Sequence, residues 1–144
     1  NLAKPEAKVT TPITSTIKAL RKLSINKISI FTPYTKTIND SVVNYFKEEN
    51  IIINSLTYFD IDSDLDIGKV DENYLFDVLS KINLEDSDAL FVSCTALPVL
   101  SIISKLEKKL NKIVLSSNQT LIWDSFKAVD YKKKIEGFGK LFNS

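Results

Sequence analysis

Four short runs of β-branched and aromatic residues recur along the chain, each followed by a stretch in which apolar residues fall three or four apart. The runs are 27–32 (KISIFT), 51–56 (IIINSL), 88–93 (DALFVS) and 113–115 (IVL), and such runs predict strands. They are short and apolar on both faces, as strands of a parallel sheet covered on both sides are. Between them, Ile38, Val42, Val43 and Phe46 trace one helical face. Tyr74, Leu75, Val78, Leu79 and Ile82 trace a second, and Leu100, Ile103, Leu106 and Leu110 a third. Pro98 stands just ahead of the third, where a first-turn proline is tolerated. Two further helices are predicted over 12–23 and 118–129. Strand and helix alternating through short links imply right-handed crossovers. The expected fold is therefore α/β, a doubly wound, mostly parallel four-stranded sheet of order 2-1-3-4 with helices on both faces. Residues 1–144 form one domain in this reading.

One internal similarity adds to this. Val9-Thr10-Thr11-Pro12, followed by Ile17, Leu20 and Leu23, parallels Val114-Leu115-Ser116-Ser117-Asn118, followed by Trp123, Phe126 and Val129, at an offset of 106. Each segment reads as a short strand, a hydroxyl-rich turn and a helix, although any two strand-to-helix corners share those features. The expectation is a chain that opens at the structural equivalent of where it closes, as though the first half of a duplicated protein preceded it.

In an open α/β sheet, ligands bind outside the carboxyl ends of the strands where the strand order reverses. For the order 2-1-3-4, that of a flavodoxin-like lobe, Thr32-Pro33-Tyr34 and Ser93-Cys94-Thr95 meet there, joined by Ser116-Ser117-Asn118. A lone Cys is usually a small buried apolar side chain. Beside a helix N-terminus it becomes a candidate thiolate. Tyr34 has the alternative of capping the sheet, and the Ser-Ser-Asn run that of N-capping the last helix. Three helix N-termini with free N–H groups would suit a carboxylate or phosphate.

Composition narrows the chemistry. The 144 residues contain no His and one Cys, which excludes Ser-His-Asp and Cys-His catalysis, His-ligated metals, thiolate cages and internal disulfides. The only glycines are Gly68, Gly137 and Gly139. None follows a strand, so the usual nucleotide fingerprints are absent. The acidic run Asp60-Ile61-Asp62-Ser63-Asp64-Leu65-Asp66 fails as a calcium loop, with Leu65 where Gly is needed and Asp71 where a bidentate Glu is needed. It reads as a solvated loop, or as a flap over the site. Lys132-Lys133-Lys134 reads as a solvated helix face or tail. With 19 Lys and Arg against 18 Asp and Glu, the net charge is +1 and gives no reason to expect nucleic acid as a partner. No apolar run is long enough for a membrane span, and the start lacks a signal-peptide core. The expected setting is cytoplasmic.

Taken together, Ser93-Cys94-Thr95 ahead of a helix, Val114-Leu115-Ser116-Ser117-Asn118-Gln119 with Trp123, and Thr32-Pro33-Tyr34 upstream resemble the maleate cis-trans isomerase and arylmalonate decarboxylase branch of the aspartate/glutamate racemase superfamily. Val9-Thr10-Thr11-Pro12 with Ala19-Leu20, and Gly137-Phe138-Gly139-Lys140-Leu141, are similar to further segments of that family. The resemblance implies a cofactor-independent, metal-free enzyme of two pseudo-symmetric lobes, with one Cys from each lobe flanking a small carboxylate substrate. Racemases use the two thiols as acid and base. Maleate isomerases add a thiolate to the double bond, rotate the intermediate and eliminate fumarate. Decarboxylases keep one Cys to protonate an enediolate. Cys94 matches the second-lobe Cys, and Tyr34 a Tyr that binds a substrate carboxylate. Asp64 stands where the family usually has Asn, against the expected carboxylate contact.

The resulting expectation is a cysteine-dependent isomerase of a small dicarboxylate, with Cys94 as catalyst and Thr32, Pro33, Tyr34, Asp64, Ser93, Thr95, Ser117 and Asn118 around the substrate. The alternatives are an arylmalonate-type decarboxylase, an Asp/Glu-type racemase, or a non-catalytic fragment that serves as an association module. Residues 1–23 and 118–144 would contact a first lobe that the chain lacks. Leu121, Ile122, Trp123 and Phe126 would then be exposed, favouring a homo-oligomer or association through the face near Trp123.

Overall fold

The computed structural model describes residues 6–131, 133 and 135–144. Lys132 and Lys134 of the triple-lysine run, and residues 1–5 of the expected lobe contact, lie outside the described residues. Four parallel strands, β1 (Lys27–Thr32), β2 (Ile52–Tyr58), β3 (Ala89–Val92) and β4 (Ile113–Ser116), form one sheet of order β2-β1-β3-β4. The helices are α1 (Pro12–Lys22), α2 (Lys36–Glu48), α3 (Asp64–Ile67), α4 (Glu72–Leu79), α5 (Ile103–Leu110) and α6 (Ser117–Ala128). The doubly wound order expected from the strand pattern is the one present.

Alternation along the central strands explains why they read as continuous apolar runs. Ile28, Ile30, Ala89, Phe91 and Leu115 face one layer with Ile17 and Leu20 of α1, Phe46 of α2 and Trp123 of α6. Phe31, Leu90, Val92 and Val114 face the other with Ile67 of α3, Leu75 and Leu79 of α4, and Ile103 and Leu106 of α5. Both faces are dry, so both sets of alternate positions are apolar. β2 departs from the expected two-sided burial. It is an edge strand with one neighbour, Ile52 is 56% exposed, and its register slips beside Ile28/Ser29. The crossover helix α2 lies on one face and α5 on the other, which puts the reversal of winding between β1 and β3.

The internal similarity survives in the helices and fails in the strand. Thr11 and Ser116 each N-cap a helix, α1 and α6, and each forms a reciprocal capping box, with Thr14 and Gln119. Among the described residues no strand precedes α1: Val9 is 67% exposed and residues 7–11 pair with no sheet edge. Instead, α1 packs directly on α6, with Thr16 Oγ1 2.9 Å from Thr120 Oγ1 and Lys18 Nζ donating to Asp124 Oδ2 at 2.6 Å.

Asp124 also accepts from Thr10 and Ser15. Burial pushes its pKa up, but the hydrogen bonds from Lys18 and Thr10 outweigh that and hold it below the ordinary value of 3.8. A carboxylate with a lowered folded-state pKa contributes stability at neutral pH, and that contribution is lost as pH falls below 3.8 through the folded value. Melting temperatures measured from about pH 6 to about pH 2.5 are therefore expected to fall less steeply on the acid side in Asp124→Asn than in wild type.

Of Leu121, Ile122, Trp123 and Phe126, expected to be exposed together, Trp123 is buried. Trp123 is 5% exposed because it lies in the core layer between α1 and the sheet, and Lys127 Nζ sits 4.0 Å from its ring. Ile122 and Phe126 are half-buried. With Leu100, Ile135, Phe138 and Phe142 they line an apolar hollow of about 190 Å³.

Candidate active site

Three strand ends build the site. β1 stops at Thr32 because Pro33 cannot continue the ladder. β3 stops at Val92, and β4 stops at Ser116, whose hydroxyl accepts from Gln119 N at 3.2 Å and so starts α6. The structure brings Tyr34, Ser93, Cys94, Thr95, Ser117 and Asn118 together at this switch point. Cys94 is 4% exposed. Its backbone N–H donates to Ser117 Oγ at 3.2 Å, and Asn118 Nδ2 donates to Thr95 O at 2.9 Å, so the first turn of α6 grips the cysteine loop on both sides.

Cys94 lies beside the N-terminus of α6, as expected, through its hydrogen bond to Ser117, while the helix that follows it in the chain starts later. Residues 93–99 form an irregular loop, a 3₁₀ turn covers Leu100–Ile102, and α5 begins only at Ile103. Pro98 lies in that loop, just ahead of the 3₁₀ turn at Leu100. The sulfur also has a local donor, with Ala96 N–H pointing at Cys94 Sγ at 3.3 Å. No side-chain pattern reveals a backbone N–H of this kind, so Ala96 could not be found from the sequence.

Tyr34 is half-buried and faces Cys94 and Ser93. Burial raises the pKa of its phenol well above the ordinary 10, and the hydrogen bond to Cys94 raises it further. The Ser93 hydroxyl works in the opposite direction. Tyr34 is thus a neutral O–H donor across the working pH range. Two donors, Ala96 N–H and Tyr34 O–H, face one buried sulfur.

Thr32 and Pro33 are buried, and the Thr32 hydroxyl is engaged internally, donating to Asn39 Oδ1 at 2.5 Å and accepting from Tyr34 N at 3.2 Å. Asn39, absent from the expected site, carried a readable signal. It stands in register with Val42, Val43 and Phe46 on the inner face of α2, where the sequence pattern had favoured Ile38, and Ile38 is 46% exposed.

The acidic run closes over the same corner. Phe59 N donates to Thr32 O at 3.2 Å and Ile61 N to Pro33 O at 2.8 Å, while Phe59 packs edge-on against Phe31. Ser63 then caps α3, which buries Ile67 in the layer that holds Cys94. Asp64, exposed on the first turn of α3, is close enough for its charge to add to the rise in the Tyr34 pKa. Among the described residues, no group of three or more His, Cys, Asp or Glu could hold a metal ion, and no helix is long and apolar enough to cross a membrane.

Similarity in sequence and in structure places this doubly wound lobe in the aspartate/glutamate racemase superfamily, in the maleate isomerase and arylmalonate decarboxylase branch. The sequence profile of the arylmalonate decarboxylase family matches residues 4–142, and the chain belongs to that family. It is 25% identical to a maleate isomerase of Geobacillus stearothermophilus over 128 residues, covering 88% of this chain and 51% of that protein. It is 26% identical to the arylmalonate decarboxylase of Bordetella bronchiseptica over 137 residues, covering 93% and 57%. The crystal structure of a maleate isomerase from Pseudomonas putida S16 superposes with a TM-score of 0.86 at 25% identity, over 91% of this chain and 53% of that one. The chain thus spans about half the length of the curated relatives it matches.

Proposed function

We propose that this chain supplies the Cys94 side of a cofactor-independent active site that isomerises a small dicarboxylate of the maleate type. The observation that carries the reading is the convergence of the Tyr34 hydroxyl and Ala96 N–H on a buried thiol at the switch point. The similarity to maleate isomerases supports the choice of substrate. Cys94 acts at the alkene carbon as nucleophile or acid/base. Addition of sulfur to one alkene carbon moves the π electron pair toward the far carboxylate. The central bond, now single, rotates, and expulsion of the thiolate leaves the trans isomer. Tyr34 and Asn118 orient carboxylates. The site is completed by a second lobe carrying its own acid/base group, and the hollow around Phe126 and Phe142 offers a surface for association with that lobe or with a second copy.

A second reading has its own support. The family match and the similarity to an arylmalonate decarboxylase favour protonation by Cys94 of an enediolate left after loss of carbon dioxide. Proton NMR of the complete polypeptide incubated separately with maleate, phenylmalonate and glutamate in deuterated buffer separates the readings. Fumarate formation is expected. Release of phenylacetate, or exchange at the glutamate α-carbon, without fumarate would replace the isomerase reading by the decarboxylase or racemase one.

A further inference from the structure

Asn39 has no exposed surface and sits on the inner stripe of α2, where an apolar residue would pack at lower desolvation cost. Its amide closes a ring of three hydrogen bonds. Thr32 Oγ1 donates to Asn39 Oδ1 at 2.5 Å, Asn39 Nδ2 donates to Tyr34 O at 3.0 Å, and Tyr34 N donates back to Thr32 Oγ1 at 3.2 Å. Both backbone polar groups of Tyr34 are therefore held by side chains. Pro33 restricts the turn immediately before it. The ring fixes the direction in which the Tyr34 side chain leaves the backbone, and that direction carries the phenol to Cys94.

We infer that Asn39 is a positioning residue for the reactive cysteine: it acts through Thr32 and the Tyr34 backbone to keep the phenol on the Cys94 sulfur. Asn39 donates nothing to Cys94 itself. The inference rests on Cys94 and Tyr34 forming the site, and it is independent of which carboxylate the site turns over.

The test is the rate of Cys94 alkylation by iodoacetamide in the complete polypeptide, followed at Cys94 by peptide mass spectrometry from about pH 6 to about pH 9. Wild type, Asn39→Ala, Tyr34→Phe and the double variant are compared. A hydrogen bond to the reacting sulfur corresponds to roughly a tenfold change, so each single variant is expected to react about three- to tenfold more slowly near neutral pH. The double variant should react no more slowly than Tyr34→Phe, because Asn39 acts through Tyr34. If Asn39→Ala does not fold, Asn39→Leu is close in size, suits a fully buried position and removes both hydrogen bonds of the amide, and it carries the same comparison. An Asn39 variant that melts earlier with an unchanged alkylation profile would overturn the inference. So would one that slows alkylation as much in the Tyr34→Phe background as in wild type. Failure of the isomerase reading registers separately, as absence of fumarate with this coupling intact.

Discussion

Cys94→Ser in the complete polypeptide is expected to lower turnover by roughly 10²–10⁴-fold while leaving the melting temperature nearly unchanged. The substitution removes the reactive atom and little else. Serine is close in size, the site is 4% exposed, and Ala96 N–H and Tyr34 O–H can donate to oxygen as they do to sulfur. A hydroxyl is a far weaker acid and nucleophile than a thiol, and the chain has no His to activate it. Steady-state kinetics beside a thermal melt separate the two effects. Full activity in a folded Cys94→Ser protein would remove Cys94 from the mechanism.

The largest stability loss is expected at Gly139. The C-terminal segment is strapped down there. Gln119 Nε2 donates to Phe138 O at 2.6 Å, Gly139 N to Ser104 Oγ at 3.0 Å and Lys140 N to Glu107 Oε2 at 2.9 Å. Glu107 is buried, which raises its pKa, while the backbone N–H groups of Val114 and Lys140 oppose the rise. Gly139 has φ +88°, and a Cβ would stand 2.6 Å from Ile103 Cγ2 and 2.7 Å from Gln119 Nε2. With ψ at 172° this backbone conformation is open essentially to glycine alone, so alanine would combine strain of about 1–3 kcal/mol with overpacking of about 1–3 kcal/mol. For a domain of this size, Gly139→Ala is expected to lower the melting temperature by about 5–15 °C. Gly137 is the internal control. Its φ is +89° with nothing within 4 Å of a Cβ, so Gly137→Ala carries the strain alone and should melt distinctly higher than Gly139→Ala.

What the sequence made legible follows the physics of each element. β1, β3 and β4 were readable because both faces are buried, and a doubly buried strand carries an unbroken apolar run. The order β2-β1-β3-β4 then followed from crossover handedness and located the switch point. Cys94, Tyr34, Ser117 and Asn118 came with it, since each lies within two residues of a strand end. Features set by tertiary contact were not readable. Val9 resembles a strand residue, but no sheet edge is offered to it. Trp123 sits at a spacing that fits either side of α6, and only the packing of α1 decides that it points inward. The inner face of α2 was read from Ile38 because a polar residue breaks the stripe at Asn39. That break marks the α2 position whose side chain hydrogen-bonds the turn that carries Tyr34. The donor at Ala96 belongs to the backbone and has no sequence signature.

The central claim is that Cys94, held against Tyr34 at the switch point, is the group a small carboxylate substrate meets. Protection of Cys94 from iodoacetamide by maleate tests this most directly, with alkylation followed at that residue in the complete polypeptide. The account predicts that maleate slows alkylation saturably and that Tyr34→Phe weakens the protection. An alkylation rate independent of maleate up to concentrations well above ordinary substrate affinities, about 1 μM to 1 mM, would contradict it.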